Sequence, residues 1–159
     1  MPVKPETRFY RRVNNRLPPE IHYQKIGSAS ENGTADIWYS GYRSDAWVEY
    51  KWEPKLSRGG VDPLKLLRPL QSLWINRRYR EGRQVLVIIG TPEGCAILEN
   101  GAWNARVPVE VFRHSMSDVS AFLSEKLHDA SAVLEQGGSG HQSDISNFND
   151  SSPDHGNSV

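Results

Sequence analysis

The most constraining feature of the sequence is a strand-like segment, Asp45–Trp52, that carries an acid and a lysine two residues apart. Successive side chains of a β-strand point to opposite faces, so Trp47, Glu49 and Lys51 share one face and the residues between them share the other. The segment is rich in large aromatic residues and is expected to be a central strand, where an unpaired carboxylate or ammonium is unusual. The pattern therefore predicts a polar site on one face of a β-sheet.

A second acid, Asp36, lies thirteen residues before Glu49. It falls in the segment Ala35–Ser40, a predicted strand on which Asp36 and Trp38 share a face. If the two strands pair as a hairpin, Asp36 and Glu49 lie side by side with Lys51 next to them. Adjacent carboxylates repel each other unless a cation joins them, and Mg²⁺ prefers such hard oxygen ligands. A metal site that cuts phosphodiesters is one interpretation of this pattern, and a solvated strand face is the other.

The metal site would have a defined chemistry. A bound Mg²⁺ polarises phosphoryl oxygens, helps to generate hydroxide and stabilises the leaving oxygen. Lys51 would orient or help to deprotonate the attacking water and balance charge in the transition state. The backbone carbonyl of Tyr50 is a further candidate ligand.

The other segments predict an α/β layer arrangement, a small mixed sheet flanked by helices. The predicted order is a helix at 6–17, strands at 21–26, 35–40 and 45–52, a long loop at 53–68, a helix from Pro69 to just before Gly82, strands at 84–89 and 95–98, and a helix at 117–134. Residues 100–115 have no assignment. On the second helix the residues Leu70, Leu73, Trp74 and Arg77 share one face, and on the last helix the predicted inward residues are Val119, Phe122, Leu123, Leu127, Ala130 and Leu134.

Residues 1–136 are expected to form one domain. Residues 137–159 are rich in Gly, Ser, Asn and Asp and are predicted to be a disordered polar tail. The single cysteine, Cys95, excludes an internal disulfide and is interpreted as a buried filler. No secretion leader or membrane-spanning run is recognised, so a reducing, cytoplasmic location is expected.

Charge is divided unevenly along the chain, although the formal net charge is zero. Residues 1–90 carry 5 Lys and 11 Arg against 9 acids, a net of +7, and residues 91–159 carry 3 basic residues against 10 acids, a net of −7. The basic half holds the candidate site, which indicates a polyanionic partner; a mixed charged surface is the alternative. The candidate DNA-binding residues are Arg58, Lys65, Arg68, Arg77 and Arg78, although Arg77 and Arg78 also suit the C-terminal end of a helix dipole.

The tryptophans near the site are interpreted as core residues rather than as platforms for base stacking. They are Trp38, Trp47 and Trp52.

Taken together, these segments resemble the PD-(D/E)XK nuclease superfamily, and within it small phage-type and virus-type replication-repair nuclease domains. The matching residues are Gly33–Ile37, Trp47–Lys51, Pro69–Gln71 and Val85–Ile89. The resemblance implies a restriction-endonuclease-like fold and a Mg²⁺-dependent DNA endonuclease, with Mn²⁺ able to replace Mg²⁺. Ala35 stands where the motif has proline, a departure that affects the backbone and removes no ligand.

The resemblance also implies two further site residues. Glu6 on the first helix is the expected additional metal-binding acid, with Glu20 as its rival, and Gln71 is the expected polar residue on the second helix. For Glu6 the alternative is an acid that satisfies the helix dipole, and for Gln71 it is an ordinary first-turn polar residue. The complete candidate catalytic set is Asp36, Glu49, Lys51, Glu6 and Gln71.

Two other functions fit the sequence less fully: a DNA-binding module without catalysis, and an interaction protein that uses its acidic second half. Cutting both strands of a duplex needs two sites, so a homodimer or homotetramer is one expectation. A junction, a nick, a single strand and the specific duplex site of a homing endonuclease all remain open as substrates. If the chain is encoded by a phage, the host cytoplasm is its expected location.

Overall fold

The structure is a computed structural model that describes residues 1–26 and 33–128. Its helices are α1 (Pro5–Asn14), α2 (Pro63–Leu66), α3 (Pro69–Arg80) and α4 (Met116–Leu127), and its strands are β1 (His22–Lys25), β2 (Ile37–Ser40), β3 (Asp45–Trp52), β4 (Val85–Gly90) and β5 (Cys95–Leu98). The strands form one sheet in the order β1-β2-β3-β4-β5. The β3–β4 pair is parallel and the other three pairs are antiparallel. The expected α/β class, a mixed sheet flanked by helices, is confirmed.

One face of the sheet is covered by α1 and α4. Phe9 and Val13, four residues apart on α1, are buried, and the Phe9 ring meets the Tyr50 ring of β3 edge-on at 5.4 Å between centroids. Each such buried apolar side chain stabilises the fold by roughly 1.5–3 kcal/mol. From α4 the buried residues are Val119, Leu123 and Leu127, as the sequence predicts.

A chain of hydroxyl groups fixes the same face from within. The Tyr39 hydroxyl donates to Oδ1 of Asn14 at 2.5 Å and lies 2.8 Å from the Tyr50 hydroxyl. Because a buried hydroxyl without a partner costs about 1–3 kcal/mol, these bonds favour one arrangement of α1 against β2 and β3. The strand that carries the candidate site is therefore held firmly from behind.

The opposite face is covered by α3 and the segment between β5 and α4. Ile75 of α3 and Trp103 are fully buried there, against Val85, Val87 and Ile89 of β4. Strand alternation turns Glu49 and Lys51 to this face, because Val48 and Tyr50 belong to the core under α1. The candidate site thus lies between the sheet and α3.

Several boundaries differ from the sequence prediction. The first helix ends at Asn14 rather than at Leu17, since Leu17 precedes Pro18 and a residue before proline disfavours the helical conformation. The loop at 53–68 contains α2, whose N-cap Asp62 accepts a hydrogen bond from the Leu64 amide at 3.1 Å. Residues 100–115 contain two short 3₁₀ turns, Ala102–Asn104 and Val109–Val111.

The face predicted on α3 is only partly buried: its two leucines point outwards, and Trp74 packs partly against the core. Leu70 and Leu73 are 51% and 62% exposed, whereas Gln71 and Ile75 are buried. Apolar periodicity favours the two leucines as the buried residues of this helix. In the structure the helix instead buries Ile75 and Gln71, and the polar contacts of Gln71 are described below.

Some predictions fall outside the described residues. These are the turn at 27–32, Ala130, Leu134 and the tail at 137–159.

Within the described ranges, no helix has both the length and the apolar character needed to cross a membrane. Cys95 is buried, as expected, and burial raises the pKa of its thiol to about 11.

Candidate active site

Two carboxylates meet across the β2–β3 hairpin. The register pairs Ile37 with Val48, which places Asp36 opposite Glu49. The Asp36 amide donates to Oε2 of Glu49 at 3.1 Å, and the Tyr50 amide donates to Oδ2 of Asp36 at 3.1 Å. Each carboxylate is therefore held by the backbone of the other strand, which fixes both side chains in a single orientation.

Lys51 completes the polar group on β3. Its Nζ lies 2.7 Å from Oε1 of Glu49, and the Glu49 side chain is fully buried. Glu49 and Lys51 are two residues apart on β3, so the alternation of a β-strand is enough to put the acid and the base on the same face. An ion pair so deeply buried gains little net stability, because desolvation of both charges offsets their attraction. Its retention in a central strand indicates a role other than stability.

Gln71 on α3 bridges the acid and the base. Its Nε2 donates to Oε1 of Glu49 at 2.6 Å, and its Oε1 accepts from Lys51 Nζ and from the Arg68 amide, both at 3.1 Å. A carboxylate only accepts and an ammonium only donates, so the orientation of the amide is set by these partners. The first turn of α3 is thereby tied to both charged residues of β3.

Gly33 allows the chain to approach α3 closely before it enters the site. Its φ is +70°, and a Cβ at this position would lie 2.1 Å from the Leu70 carbonyl oxygen. Only glycine meets both demands without strain. This contact fixes the segment that carries Asp36 next to the turn that carries Gln71.

Burial and mutual repulsion set the protonation of the pair. Burial, followed by the nearby charge of Asp36, raises the pKa of Glu49 to about 7, and the Lys51 ammonium only partly offsets this rise. Burial likewise raises the pKa of Asp36, against the hydrogen bond from the Tyr50 amide and the nearby Lys51, Lys25 and Arg68. At neutral pH the site therefore favours an added positive charge.

The oxygen atoms at this place suit a hard divalent cation. Asp36 and Glu49 supply carboxylate oxygens, and the Tyr50 carbonyl belongs to the same strand segment. In the described part of the chain, no group of three or more His, Cys, Asp or Glu side chains gathers in a way that could hold a metal ion. Neither Glu6 nor Glu20 therefore adds a third carboxylate to the pair in this structure, and a metal-binding role for either stays a prediction.

The predicted cationic residues differ in their surroundings. Arg58, Lys65 and Arg68 are exposed and lie between β3 and α3, and Arg68 is close enough to act electrostatically on Asp36. Arg77 and Arg78 instead pair with Glu81, at 3.1 Å and 2.8 Å. Of these five residues, Arg68 is thus the one that acts electrostatically on Asp36.

One cation near the site was missed by the sequence reasoning. Lys25 of β1 acts electrostatically on Asp36 and donates a hydrogen bond to the Tyr10 hydroxyl at 3.3 Å. Pairing of β1 with β2 brings it there. The alternation of residues 21–26 predicts a strand, but it does not show which strand it pairs with, and the position of Lys25 depends on that pairing.

Comparison with known proteins adds little to this description. No protein-family model matches the chain, and no curated protein matches it. Among the solved structures that match is Hjc from Archaeoglobus fulgidus, a Holliday junction resolvase from an archaeal hyperthermophile, with 13% identity and a TM-score of 0.47 over 73% of this chain and 98% of Hjc. A structural similarity with so low a sequence identity and TM-score carries no information about the candidate site.

Replacing Gly33 by alanine is expected to disturb the contact between the site and α3. The positive φ costs about 1–2 kcal/mol, and the overlap with Leu70 adds about 1–3 kcal/mol. Gly82→Ala is the matched control, because Gly82 has φ +79° and nothing within 4 Å of an added Cβ. Urea unfolding of both variants measures the difference, and equal destabilisation would show that the close approach at Gly33 is unimportant.

The raised pKa of Glu49 predicts a pH-dependent stability of the metal-free protein. The folded state holds this proton more tightly than the unfolded chain, where the carboxyl has its ordinary value of 4.5. Stability linked to Glu49 is therefore present below about pH 4.5 and is lost as the pH rises through 7. Between pH 5 and pH 8 the loss is about 2–3 kcal/mol.

The measurement is urea unfolding in EDTA at both pH values, for the wild type and for Glu49→Gln. Subtracting the variant removes the contribution of all other titrating groups. The wild type should weaken relative to the variant at pH 8, and addition of Mg²⁺ should restore it. Parallel pH curves for the two proteins would mean that Glu49 titrates normally.

Proposed function

We propose that this protein is a Mg²⁺-dependent DNA endonuclease that hydrolyses phosphodiester bonds at Asp36, Glu49 and Lys51. The observation that carries the proposal is a pair of carboxylates, fully buried at Glu49 and half-buried at Asp36, held side by side by backbone amides and joined to one ammonium. Such a group does not stabilise the fold by itself, because burial raises the pKa values of both Asp36 and Glu49. A divalent cation relieves the repulsion between the two carboxylates.

Asp36, Glu49 and the Tyr50 carbonyl are the groups proposed to hold the metal. When bound there, Mg²⁺ would polarise the phosphoryl oxygens and make a bound water acidic. Mn²⁺ is expected to replace it, because it takes the same oxygen ligands.

The residues of the chain itself supply positioning and charge. Lys51 Nζ, held between Glu49 and Gln71, is proposed to orient the attacking water and to stabilise the negative charge on the phosphoryl oxygens in the transition state. Gln71 holds the Glu49 carboxylate and the Lys51 ammonium in fixed positions, so neither side chain has to reorganise during the reaction. Glu6 is proposed as an additional ligand, with Glu20 as the rival.

DNA is proposed as the polyanion that the basic half of the chain binds. Arg58, Lys65, Arg68, Arg77 and Arg78 are the proposed phosphate contacts, and the structure adds Lys25 beside Asp36. Phosphate contacts supply affinity that does not depend on sequence. Membership of the PD-(D/E)XK superfamily, near its phage-type members, and a homodimer or homotetramer are part of the same proposal.

Loss of any of the three central groups should abolish cleavage. Asp36→Asn, Glu49→Gln and Lys51→Met are each expected to slow hydrolysis of DNA in Mg²⁺ by at least roughly 100-fold, the usual effect of removing a preorganised charged group. Single-turnover rates on linear, nicked, branched and single-stranded DNA are the measurement. Glu49→Gln is the most informative variant, because it is expected to gain stability at pH 8 while it loses activity.

Glu125→Gln serves as the control for these variants, since Glu125 is an exposed acid on α4, on the opposite face of the sheet. Glu6→Gln and Glu20→Gln decide which acid joins the site. Cleavage by Glu49→Gln at the wild-type rate would contradict the proposal. Salt-dependent DNA binding without cleavage by the wild type in Mg²⁺ or Mn²⁺ would instead indicate a non-catalytic DNA-binding module, and no binding at low salt would indicate an interaction protein.

The proposed phosphate contacts predict a change in salt dependence. Arg68→Ala should weaken DNA binding and lower the slope of log K against log[salt] by about 0.9, the value for one lost phosphate contact on a duplex. The measurement is fluorescence anisotropy in EDTA between 50 and 200 mM salt, roughly the range over which such contacts lose most affinity. Arg8→Ala is the matched control, because Arg8 is an exposed arginine on α1, behind the sheet; an equal effect of both variants would refute a specific contact at Arg68.

A further inference from the structure

A cleft of about 990 Å³ lies on the face of the sheet that carries the candidate active site. It begins at Thr34, two residues before Asp36, and passes Trp38, which strand alternation places on the same sheet face as Asp36. Further along, it is lined by Tyr42, Asp45, Trp47, Trp74, Arg78 and Arg83. The cleft therefore extends from Thr34, close in sequence to Asp36, along the start of β3 towards the end of α3.

Aromatic side chains form the walls of this cleft. Trp38 and Trp47 are direct neighbours across the hairpin, and the Trp47 ring meets the Trp74 ring edge-on at 5.2 Å between centroids. Trp47 and Trp74 are only partly buried against the core under α3. Trp38 is partly exposed, and Tyr42 at the rim is 71% exposed.

The sequence interpretation of the tryptophans as core residues is therefore correct only in part. Trp52 packs against Phe9 of α1, with 5.8 Å between the ring centroids. Trp47 packs against the core on one side and lines the cleft on the other. Trp38 belongs to neither core cluster of the described residues.

Positive charge accompanies the aromatic rings. The Arg78 guanidinium lies over the Trp74 ring, 5.4 Å from its centroid, and Arg83 lines the same cleft and is exposed. The acid at the rim, Asp45, accepts a hydrogen bond from the Ser40 hydroxyl at 2.7 Å. The Trp38 ring lies close to the His22 ring, with 6.5 Å between their centroids in an edge-to-face arrangement. Partly exposed rings beside guanidinium groups are the combination that binds single-stranded nucleic acid, with bases stacked on the rings and phosphates on the cations.

We propose that this cleft binds an unpaired nucleotide of the DNA substrate, next to the phosphate that is cut. Trp38 would stack on the base, and Arg78 and Arg83 would contact its phosphates. A base inside a duplex has both faces covered by its neighbours and cannot stack on Trp38, so the cleft selects DNA with unpaired bases over an intact duplex. This inference rests on the proposed nuclease function and narrows its substrate class.

The experiment measures binding and stacking in EDTA, where no cleavage occurs. The probes are a fully paired duplex and a duplex of the same sequence with a short gap, and each carries a fluorescent adenine analogue, 2-aminopurine, which in the gapped duplex lies unpaired. Wild-type protein should bind the gapped duplex more tightly and quench the fluorescence of its unpaired base. Trp38→Ala should lose roughly 5- to 100-fold in affinity for the gapped duplex, the usual effect of removing one stacking partner, with little change for the paired duplex.

Matched variants separate stacking from general damage. Trp38→Phe keeps an aromatic face and should retain most of the affinity and the quenching. Tyr23→Ala removes a 45% exposed aromatic residue that pairs with Tyr39 on the other face of the sheet, and it should have no effect. Arg83→Ala, at an exposed position that leaves the fold intact, should weaken binding of the gapped duplex and lower its salt slope.

Two results would overturn this inference. One is equal binding of the two probes by the wild type. The other is unchanged stacking in Trp38→Ala together with unchanged affinity in Arg83→Ala. In either case Mg²⁺-dependent cleavage of any DNA by the wild type would leave the proposed function intact. Absence of both cleavage and DNA binding would overturn the proposed function, and the cleft inference with it.

Discussion

The antiparallel pairing of β2 with β3 brings two carboxylates together, one buried at Glu49 and one half-buried at Asp36, and the rest of the site is arranged around that pair. Asp36 and Glu49 have no freedom to separate, because each accepts a hydrogen bond from the backbone of the other strand. Lys51 and Gln71 then satisfy the inner oxygen of Glu49. Burial and the charge of Asp36 both raise the pKa of Glu49, so the pair costs stability when both carboxylates are charged.

The two faces of β3 divide the work of folding and chemistry. Val48 and Tyr50 pack under α1, where the chain of hydroxyl groups from Asn14 through Tyr39 adds directional bonds to apolar burial. Glu49 and Lys51 face α3, which meets them with a polar residue rather than with its leucines. A strand held firmly on one side can present charged groups on the other without losing its position in the sheet.

Much of this arrangement follows from the sequence by physical rules of short range. The extent of β3 and β5, the start of α3 at Pro69 and the side-by-side carboxylates all follow from alternation, proline placement and hairpin pairing. The orientation of α3 does not, because the bonds from Gln71 to Glu49 and Lys51 and the burial of Ile75 both depend on the tertiary fold. Lys25 and the cleft at Trp38 also depend on which strands pair, and periodicity carries no signal for that choice. The region 100–115 lacks periodicity altogether, since its 3₁₀ turns pack through single residues such as Trp103.

The central claim is that Asp36 and Glu49 hold a divalent metal, and Mn²⁺ tests it most directly because it scatters X-rays anomalously. The measurement is an anomalous difference map from crystals of the wild-type protein grown with Mn²⁺ at pH 8, beside crystals of Glu49→Gln. The predicted result is a peak at bonding distance, roughly 2.1 Å as for the similar Mg²⁺, from a carboxylate oxygen of Asp36 and one of Glu49 in the wild type, and a weak or absent peak in the variant. A wild-type map without a peak at this pair, or with Mn²⁺ bound only elsewhere, would contradict the account.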